Sequence, residues 1–349
     1  MGCRLVGGMT NAAPLNATAR LNATVVASMR NEGPFIVEWL CWYRMLGFAQ
    51  ALVVTNGCTD HSPQLLDALA AQGWVHHLVH EVPAGERITK AKLRTARQHP
   101  AVRDADLVFV CDVDEFLVIH HGAGQLADLI AAVPSFLGMA IIWRVFGSDH
   151  KAAFEDLPVH RQFFSALSAE RGLSHFVKTL FRHPRWFAQL GEHGPKRFKP
   201  EAAAFGRDGN TWITATGEGV PDWQPDGDYQ RTLKDPLARH DGAQVNHYMI
   251  RSEETFGLKA GTLAPVAMNP RYDKTYHDRA MRGDETDTSA LRHAAAFDAV
   301  RAEAMALPGV RRLHHLCCAD HLTAIALKSG RNPAEDPRIA AHLGLAGAA

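Results

Sequence analysis

Three acids, Asp112, Asp114 and Glu115, follow directly on an unbroken apolar run at residues 107–111. Such a run predicts a short strand buried on both faces. In an open parallel sheet, ligands bind beyond the carboxyl ends of the strands, so the acids fall where a site is expected. Asp112 and Asp114 occupy alternate positions, and on an extended chain their carboxylates face one ligand. Adjacent anions repel and favour a cation between them. A hard divalent ion, Mn²⁺ or Mg²⁺, takes oxygen ligands and bridges carboxylates to phosphate oxygens. The simpler account of an isolated Asp-x-Asp is a solvated strand end, and what surrounds it has to decide.

The elements that must hold these acids alternate along the chain. Residues 24–28, 49–55, 74–79 and 106–111 predict four strands. A helix is expected from Pro34, a residue suited to a first turn, with Ile36, Trp39, Leu40, Tyr43 and Leu46 on one apolar face and Gly47 ending it. That aromatic stripe reads as core, not as a stacking platform. Further helices are expected at 63–71 and 88–99. Strand–helix alternation predicts a parallel sheet with helices on its faces. Polar loops then follow the first, second and fourth strands at one edge: Arg30-Asn31-Glu32, residues 56–60 and residues 112–115. Neither a G-x-G-x-x-G nor a G-x-x-x-x-G-K-[ST] motif is present. A nucleotide in this pocket would therefore be held by a metal and polar side chains. Beyond it, 124–133 predicts a helix, 138–145 a strand, 151–239 an irregular substrate-side region, and 289–343 Ala- and Leu-rich helix.

Lys plus Arg and Asp plus Glu both number 37 among 349 residues, so net charge is zero with His neutral. That removes any general attraction to nucleic acid or an anionic membrane. The apolar fraction, 46%, is enough for a sizeable core. No apolar stretch reaches about 18 residues, so no transmembrane helix is expected. Residues 1–22 lack the apolar centre of a secretory signal and read as a loose tail. The six cysteines, Cys3, Cys41, Cys58, Cys111, Cys317 and Cys318, form no C-x-x-C. No disulfide or zinc framework is expected, and reduced thiols fit a cytoplasmic protein. Twenty histidines include the pairs His76 with His77, His120 with His121 and His314 with His315. Neighbouring side chains diverge on a helix or strand, so each pair by itself is a poor chelate.

Five signatures recur in order. They are Arg30-Asn31-Glu32-Gly33 with Glu38-Trp39; Asn56-x-x-x-Asp60; Cys111-Asp112-Val113-Asp114-Glu115-Phe116-Leu117; Trp143-Arg144-x-Phe146-Gly147-Ser148; and Asn246-His247-Tyr248 with Arg251-Ser252 and Lys259. With them the chain resembles a bacterial glycosyltransferase of the family 2-like group, related to the family 92 galactosyltransferases, over about residues 24–283. The resemblance implies a GT-A-like, Rossmann-type α/β fold, a mostly parallel sheet flanked by helices; the irregular acceptor-side subdomain and the helical C-terminus come from the residue pattern itself. It also implies a nucleotide-sugar donor, UDP-linked by preference or GDP-linked, and Mn²⁺ or Mg²⁺. By that likeness Arg30, Asn31 and Glu32 lie near the nucleoside, and Asn56 and Asp60 at its base or ribose. Asp112 and Asp114 lie at the ribose and metal, with His247 the later metal ligand. One departure is Thr55, where the family often has Asp; a hydroxyl can hydrogen-bond there but brings no charge.

Breaking a sugar–phosphate bond leaves a nucleoside diphosphate with extra negative charge, which a divalent ion stabilises as a Lewis acid. Lys178, Arg182, Lys196, Arg251 and Lys259 are candidates to add cationic help, Lys259 foremost. For each, a solvated surface charge is the simpler account. An inverting transfer, which the resemblance implies, needs a general base for the acceptor hydroxyl; Asp149 is the first candidate, then Glu192 and Asp287. The expected organisation is a tail at 1–22, a transferase domain at 23–283 with nucleotide-binding (23–150) and acceptor-side (151–283) halves, and a helical extension at 284–349. The expected activity is cytoplasmic transfer of a hexose to a glycan or lipid-linked acceptor, with at most peripheral membrane contact. A nucleotidyltransferase would want a Gly- and basic-rich loop where Arg-Asn-Glu-Gly-Pro stands. A non-catalytic sugar-nucleotide or glycan-binding protein would be favoured by loss of the acids, and a scaffold by absence of nucleotide binding.

Overall fold

The computed structural model describes residues 21–83, 85–199, 211–224, 230–263 and 270–349; of the tail expected at 1–22, residues 1–20 lie outside the described residues. Strands β1 (Ala23–Met29), β2 (Gln50–Thr55), β3 (His76–Val79) and β4 (Leu107–Val110) pair in parallel, in the order β3-β2-β1-β4. Helices α1 (Gly33–Met45), α2 (Ser62–Ala71), α3 (Ile88–Gln98) and α4 (Pro100–Arg103) make the crossovers. Successive strand residues point to opposite faces, so the pleat divides them between two cores. Val25, Ala27, Val53, Leu107 and Phe109 pack with α1 and α2 on one face. Val26, Leu52, Val54, Val108 and Val110 pack with α3 and α4 on the other. This is the helix-flanked parallel arrangement that the alternation predicts.

The sheet then becomes mixed. It adds β5 (Glu115–Ile119), β6 (Gly138–Phe146), β7 (Ser165–Ala166), β8 (Val177–Arg182), β11 (Trp212–Thr214) and β12 (Ala243–Tyr248), while β9 (Phe187–Gly191) and β10 (Gly194–Phe198) form a separate hairpin. Helix α5 (Leu126–Ala132) precedes β6. Strand β8 lies antiparallel between β4 and β6. Strand β12 runs parallel to β6 and antiparallel to β5. Neither β5 nor β8 is foreseen by the sequence pattern, because β5 opens on an acid and β8 carries a lysine in a wholly buried strand. Helices α6 (Glu253–Lys259) and α7 (Lys274–Ala280) follow, then the short β13 (Glu285–Thr286).

Three helices finish the chain: α8 (Ala294–Met305), α9 (Val310–Lys328) and α10 (Pro337–Ala348). Because α8 and α9 lie against α1, that helix is not half-exposed as its apolar face predicts; every residue in it but Arg44 is buried. A Cβ on Gly33 would come within 2.4 Å of the Cys317 Cβ, so only glycine permits the approach of α9. Among the described residues, no helix is long and apolar enough to cross a membrane.

Candidate functional site

Beyond β4 the chain turns instead of running on. Glu115 N donates to Asp112 O (3.1 Å), and Asp112 N donates to the Glu115 carboxylate (2.8 Å). This corrects the expectation that Asp112 and Asp114 face one ligand from an extended chain. The turn sends Asp112 to the Lys178 ammonium (3.0 Å) and Asp114 to that of Lys259 (3.0 Å). The aromatic stripe of α1 is core, as expected, and its polar tips also hold this turn. Trp39 Nε1 donates to Asp112 O (3.1 Å), Tyr43 OH to Glu115 O (3.0 Å) and Trp42 Nε1 to Leu117 O (2.8 Å). Buried indole and phenol groups need such partners, and here the partners are backbone carbonyls of the turn and of β5.

Strand register brings in the distant histidine. In the β5–β12 pair His247 stands opposite Glu115, and Tyr248 N donates to Asp114 O (2.9 Å). Directly opposed residues are near neighbours on one face. His247 Nε2 therefore lies 3.6 Å from Asp114 Oδ1, and its Nδ1 lies 3.9 Å from Glu115 Oε1. Trp143 supports the imidazole edge-on, with ring centroids 4.3 Å apart. After β12, Arg251 adopts a left-handed conformation (φ 58°) and donates to the Glu32 carboxylate at 3.1 Å. Its guanidinium covers the Phe35 ring at 3.6 Å. Ser252 then caps α6, accepting from Thr255 N, and Lys259 is the last residue of that helix. Eight charged or ionisable side chains thus gather at the carboxyl edge of the sheet: Glu32, Asp112, Asp114, Glu115, Lys178, His247, Arg251 and Lys259.

Their charges are interlocked. Burial pushes the Asp114 carboxyl up, but Lys259, His247 and Arg251 outweigh it and hold the group well below the ordinary carboxylate range. Burial alone would discharge Lys178, yet Asp112 and Glu115 keep it protonated. Burial raises Glu32 against the pull of Arg251 and Lys259. Burial lowers His247 to about 4, so near neutral pH it is an uncharged imidazole with a lone pair to give. Beneath the first loop, Lys92 donates to Met29 O (3.0 Å), and burial lowers its ammonium to about 8.

Whether these groups suit a divalent ion follows from their donor atoms. Two ligands on adjacent positions of an octahedral ion lie about 3 Å apart, close to the Asp114–His247 separation. His247 Nδ1 and Glu115 Oε1 are buried without a hydrogen-bond partner, an arrangement suited to a carboxylate that orients a ligating histidine. Asp114 and His247 therefore fit one edge of an ion's coordination shell. Asp112 is engaged by Lys178 instead. Among the described residues, the groups of three His, Cys, Asp or Glu ligand atoms within 4.8 Å of one another lie elsewhere in the molecule.

The remaining expected residues divide between the loops and the scaffold. Asn31 exchanges hydrogen bonds with Thr59, and Arg30 Nε donates to Gly57 O (3.0 Å), so the first and second loops are tied together. Asp60 accepts from Ser62 N, Ser62 Oγ and Gly33 N at the starts of α2 and α1. Asn56 Oδ1 is buried with no partner in this pocket wall. Thr55 is buried and shares a 2.8 Å hydrogen bond with His77. Asp149 accepts from the Phe164 and Ser165 amides (2.6 and 2.9 Å), as a loop clasp. Asp287 is engaged by Gln244, Ser289 and Arg144. Glu192, at the β9–β10 turn, offers its carbonyl to Lys178 (2.7 Å), next to Asp112. Lys196 lies in β10. Arg182 pairs in register with Leu107 at the opposite end of β4, which separates it from the acids.

The sequence pattern places Glu115 among the three acids without giving it a separate role, and it does not point to Lys92 or to Trp143 as a support. Lys92 carried one signal, a lysine on the otherwise apolar side of α3. No family model matches the chain, and no curated protein matches it. Solved structures similar to it include the mannosyltransferase PcManGT from Pyrobaculum calidifontis in complex with GDP-Man and Mn²⁺: 16% identity, 96% of this chain and 88% of that one covered, TM-score 0.34. S. aureus TarS 1-349 is similar at 12% identity, 87% and 80% coverage and TM-score 0.31. A 4-diphosphocytidyl-2C-methyl-D-erythritol synthase is similar at 14% identity, 61% and 93% coverage and TM-score 0.31.

Proposed function

We propose that the chain is a metal-dependent glycosyltransferase that moves a hexose from a nucleotide sugar, UDP-linked by preference, to a glycan or lipid-linked acceptor. The observation that carries this reading is the meeting of Asp114 and His247 with Lys259, Arg251 and Glu32 beyond the carboxyl ends of β1 and β4. Acids with an uncharged imidazole suit a divalent ion, and two cations beside them suit a diphosphate. Asp114 and His247 would hold the ion. When bound, it supplies a Lewis acid for the charge on the departing diphosphate. Lys259 and Arg251 are already fixed by Asp114 and Glu32, so their charge needs little reorganisation as the bond breaks. The loops tied by Arg30 and Asn31 would enclose the nucleoside, and the unpaired Asn56 Oδ1 would accept an N–H of the base. Glu192, whose backbone carbonyl accepts from Lys178 beside Asp112, is the general base we favour.

Thermal unfolding with UDP, GDP or CMP, each with and without Mn²⁺, tests the reading. A ligand bound to the folded state alone raises the midpoint. The expected result is a rise that needs both one nucleotide and the metal and is lost in Asp114→Ala. No rise with any of the three nucleotides would refute it.

A further inference from the structure

A second convergence of ligand-type side chains lies away from the nucleotide edge, where the C-terminal helices meet the loop after β6. His315 on α9 and His342 on α10 turn their Nδ1 atoms toward each other at 3.2 Å. Asp156, from the loop, places Oδ2 3.9 Å from His315 Nδ1. These three ligand atoms lie within 4.8 Å of one another, and all three residues are half-buried, which leaves a path for an ion. Two nitrogens bound to one tetrahedral zinc at ~2.1 Å each are roughly 3.4 Å apart, near the separation seen here. Without an ion, the facing nitrogens can share only one proton.

The surroundings orient the carboxylate. His314 Nε2 contacts the other Asp156 oxygen, Oδ1, at 3.0 Å. The two neighbouring histidines thus diverge, as adjacent side chains must, and each addresses one oxygen of the same carboxylate. A partner that fixes a ligating carboxylate in this way is a usual outer support of metal sites. Cys318 Sγ lies 3.7 Å from His314 Nε2, a buried thiol behind the support and not in the half-open cluster.

We propose that Asp156, His315 and His342 form a divalent-metal site suited to zinc, with water as the fourth ligand, that fastens α9 and α10 to the loop after β6. Two imidazoles and one carboxylate match the nitrogen and oxygen preference of zinc, not the all-oxygen preference of magnesium or calcium. Asp156 lies far along the chain from the two histidines, so the ion would close a long loop of the unfolded polypeptide. Nearby, Arg338 of α10 reaches Glu254 and Phe154 O, so the site would reinforce an existing contact.

The test uses the metal-stripped full chain titrated with Co²⁺ and then Zn²⁺, following cobalt's visible absorption and the unfolding midpoint. We expect tetrahedral cobalt absorption that zinc displaces, and a zinc-dependent rise in midpoint. Both should be lost in His315→Ala and in His342→Gln, and zinc affinity should fall about 10–100-fold in His314→Ala. Asp114→Ala should leave the absorption and the zinc response intact, which separates this site from the nucleotide site. An absorption unchanged in His342→Gln, or no cobalt or zinc binding by the wild-type chain, would overturn the proposal.

Discussion

The cluster of acids and histidine at the end of β4 and the one at the α9–α10 hairpin differ in what neutralises them. At the end of β4 every acid meets a cation: Asp112 and Glu115 meet Lys178, Asp114 meets Lys259, and Glu32 meets Arg251. At the α9–α10 hairpin Asp156 meets imidazoles, His314 and His315. A cation-laced acid cluster can exchange partners with an incoming diphosphate and its metal. A carboxylate among imidazoles has little to offer an anion and much to offer a soft-to-borderline cation. The same residue types thus serve different chemistry according to their neighbours.

The contrast is sharpest on removing the neutralising group. Lys178→Met leaves Glu115, which is fully buried, beside Asp112 with no counter-charge; breaking such a pair costs about 3–5 kcal/mol. Asp156→Asn leaves an amide that can still hydrogen-bond to the neighbouring imidazole of His314, at a cost of about 1–2 kcal/mol. Urea unfolding of both variants checks the order, and equal losses would break the comparison.

Acid acts on buried imidazoles in both parts of the molecule. Burial lowers His247 and His293 to about 4 and His321 to about 3, below the ordinary histidine value of roughly 6.5. Between those limits the unfolded chain binds protons that the folded chain refuses, so stability is full above about pH 6.5 and falls as the pH drops toward 4. Each imidazole contributes about 2–3 kcal/mol to that loss. Urea midpoints at pH 7.5, 6 and 5 should decline steadily, and His293→Gln should flatten the decline. A midpoint constant over that interval would contradict the burial of these rings.

Gly33→Ala tests whether the two regions are mechanically joined. Its methyl would collide with Cys317, and overpacking of this kind costs about 1–3 kcal/mol. Because Gly33 follows the Arg30-Asn31-Glu32 loop and Cys317 lies on α9, responses to nucleotide and to zinc should both weaken. Lys178→Met should leave the zinc response alone. The smallest effect belongs to Tyr43→Phe, which removes the hydroxyl that holds Glu115 O. We expect about 1 kcal/mol in stability, with a weaker metal-dependent nucleotide shift in the same melts.

Much of the first cluster's setting was legible because it depends on short-range pattern. The β1–β4 strands, their helices and the placing of acids after an apolar run all follow from periodicity and punctuation. The direction of the acids was not legible. Asp112 and Asp114 part company because Glu115 folds back on the Asp112 amide, a turn that the alternation of side chains does not encode. Lys178 sat among several cationic candidates, and only the insertion of β8 beside β4 distinguished it from Arg182, four residues along the same strand.

By itself, then, the sequence determined the alternating parallel half, the helical C-terminus and the residue types available at the sheet's edge. Local backbone preference and burial period set these within a few turns or one strand. The tertiary structure alone decided which distant groups meet: His247 with Glu115 through the β5–β12 register, Lys259 with Asp114 through α6, and His342 with His315 through the α9–α10 hairpin. Those meetings depend on how separately formed elements fit against one another. The complementarity of their packed surfaces is a property of the assembled fold and is written in no single stretch of chain.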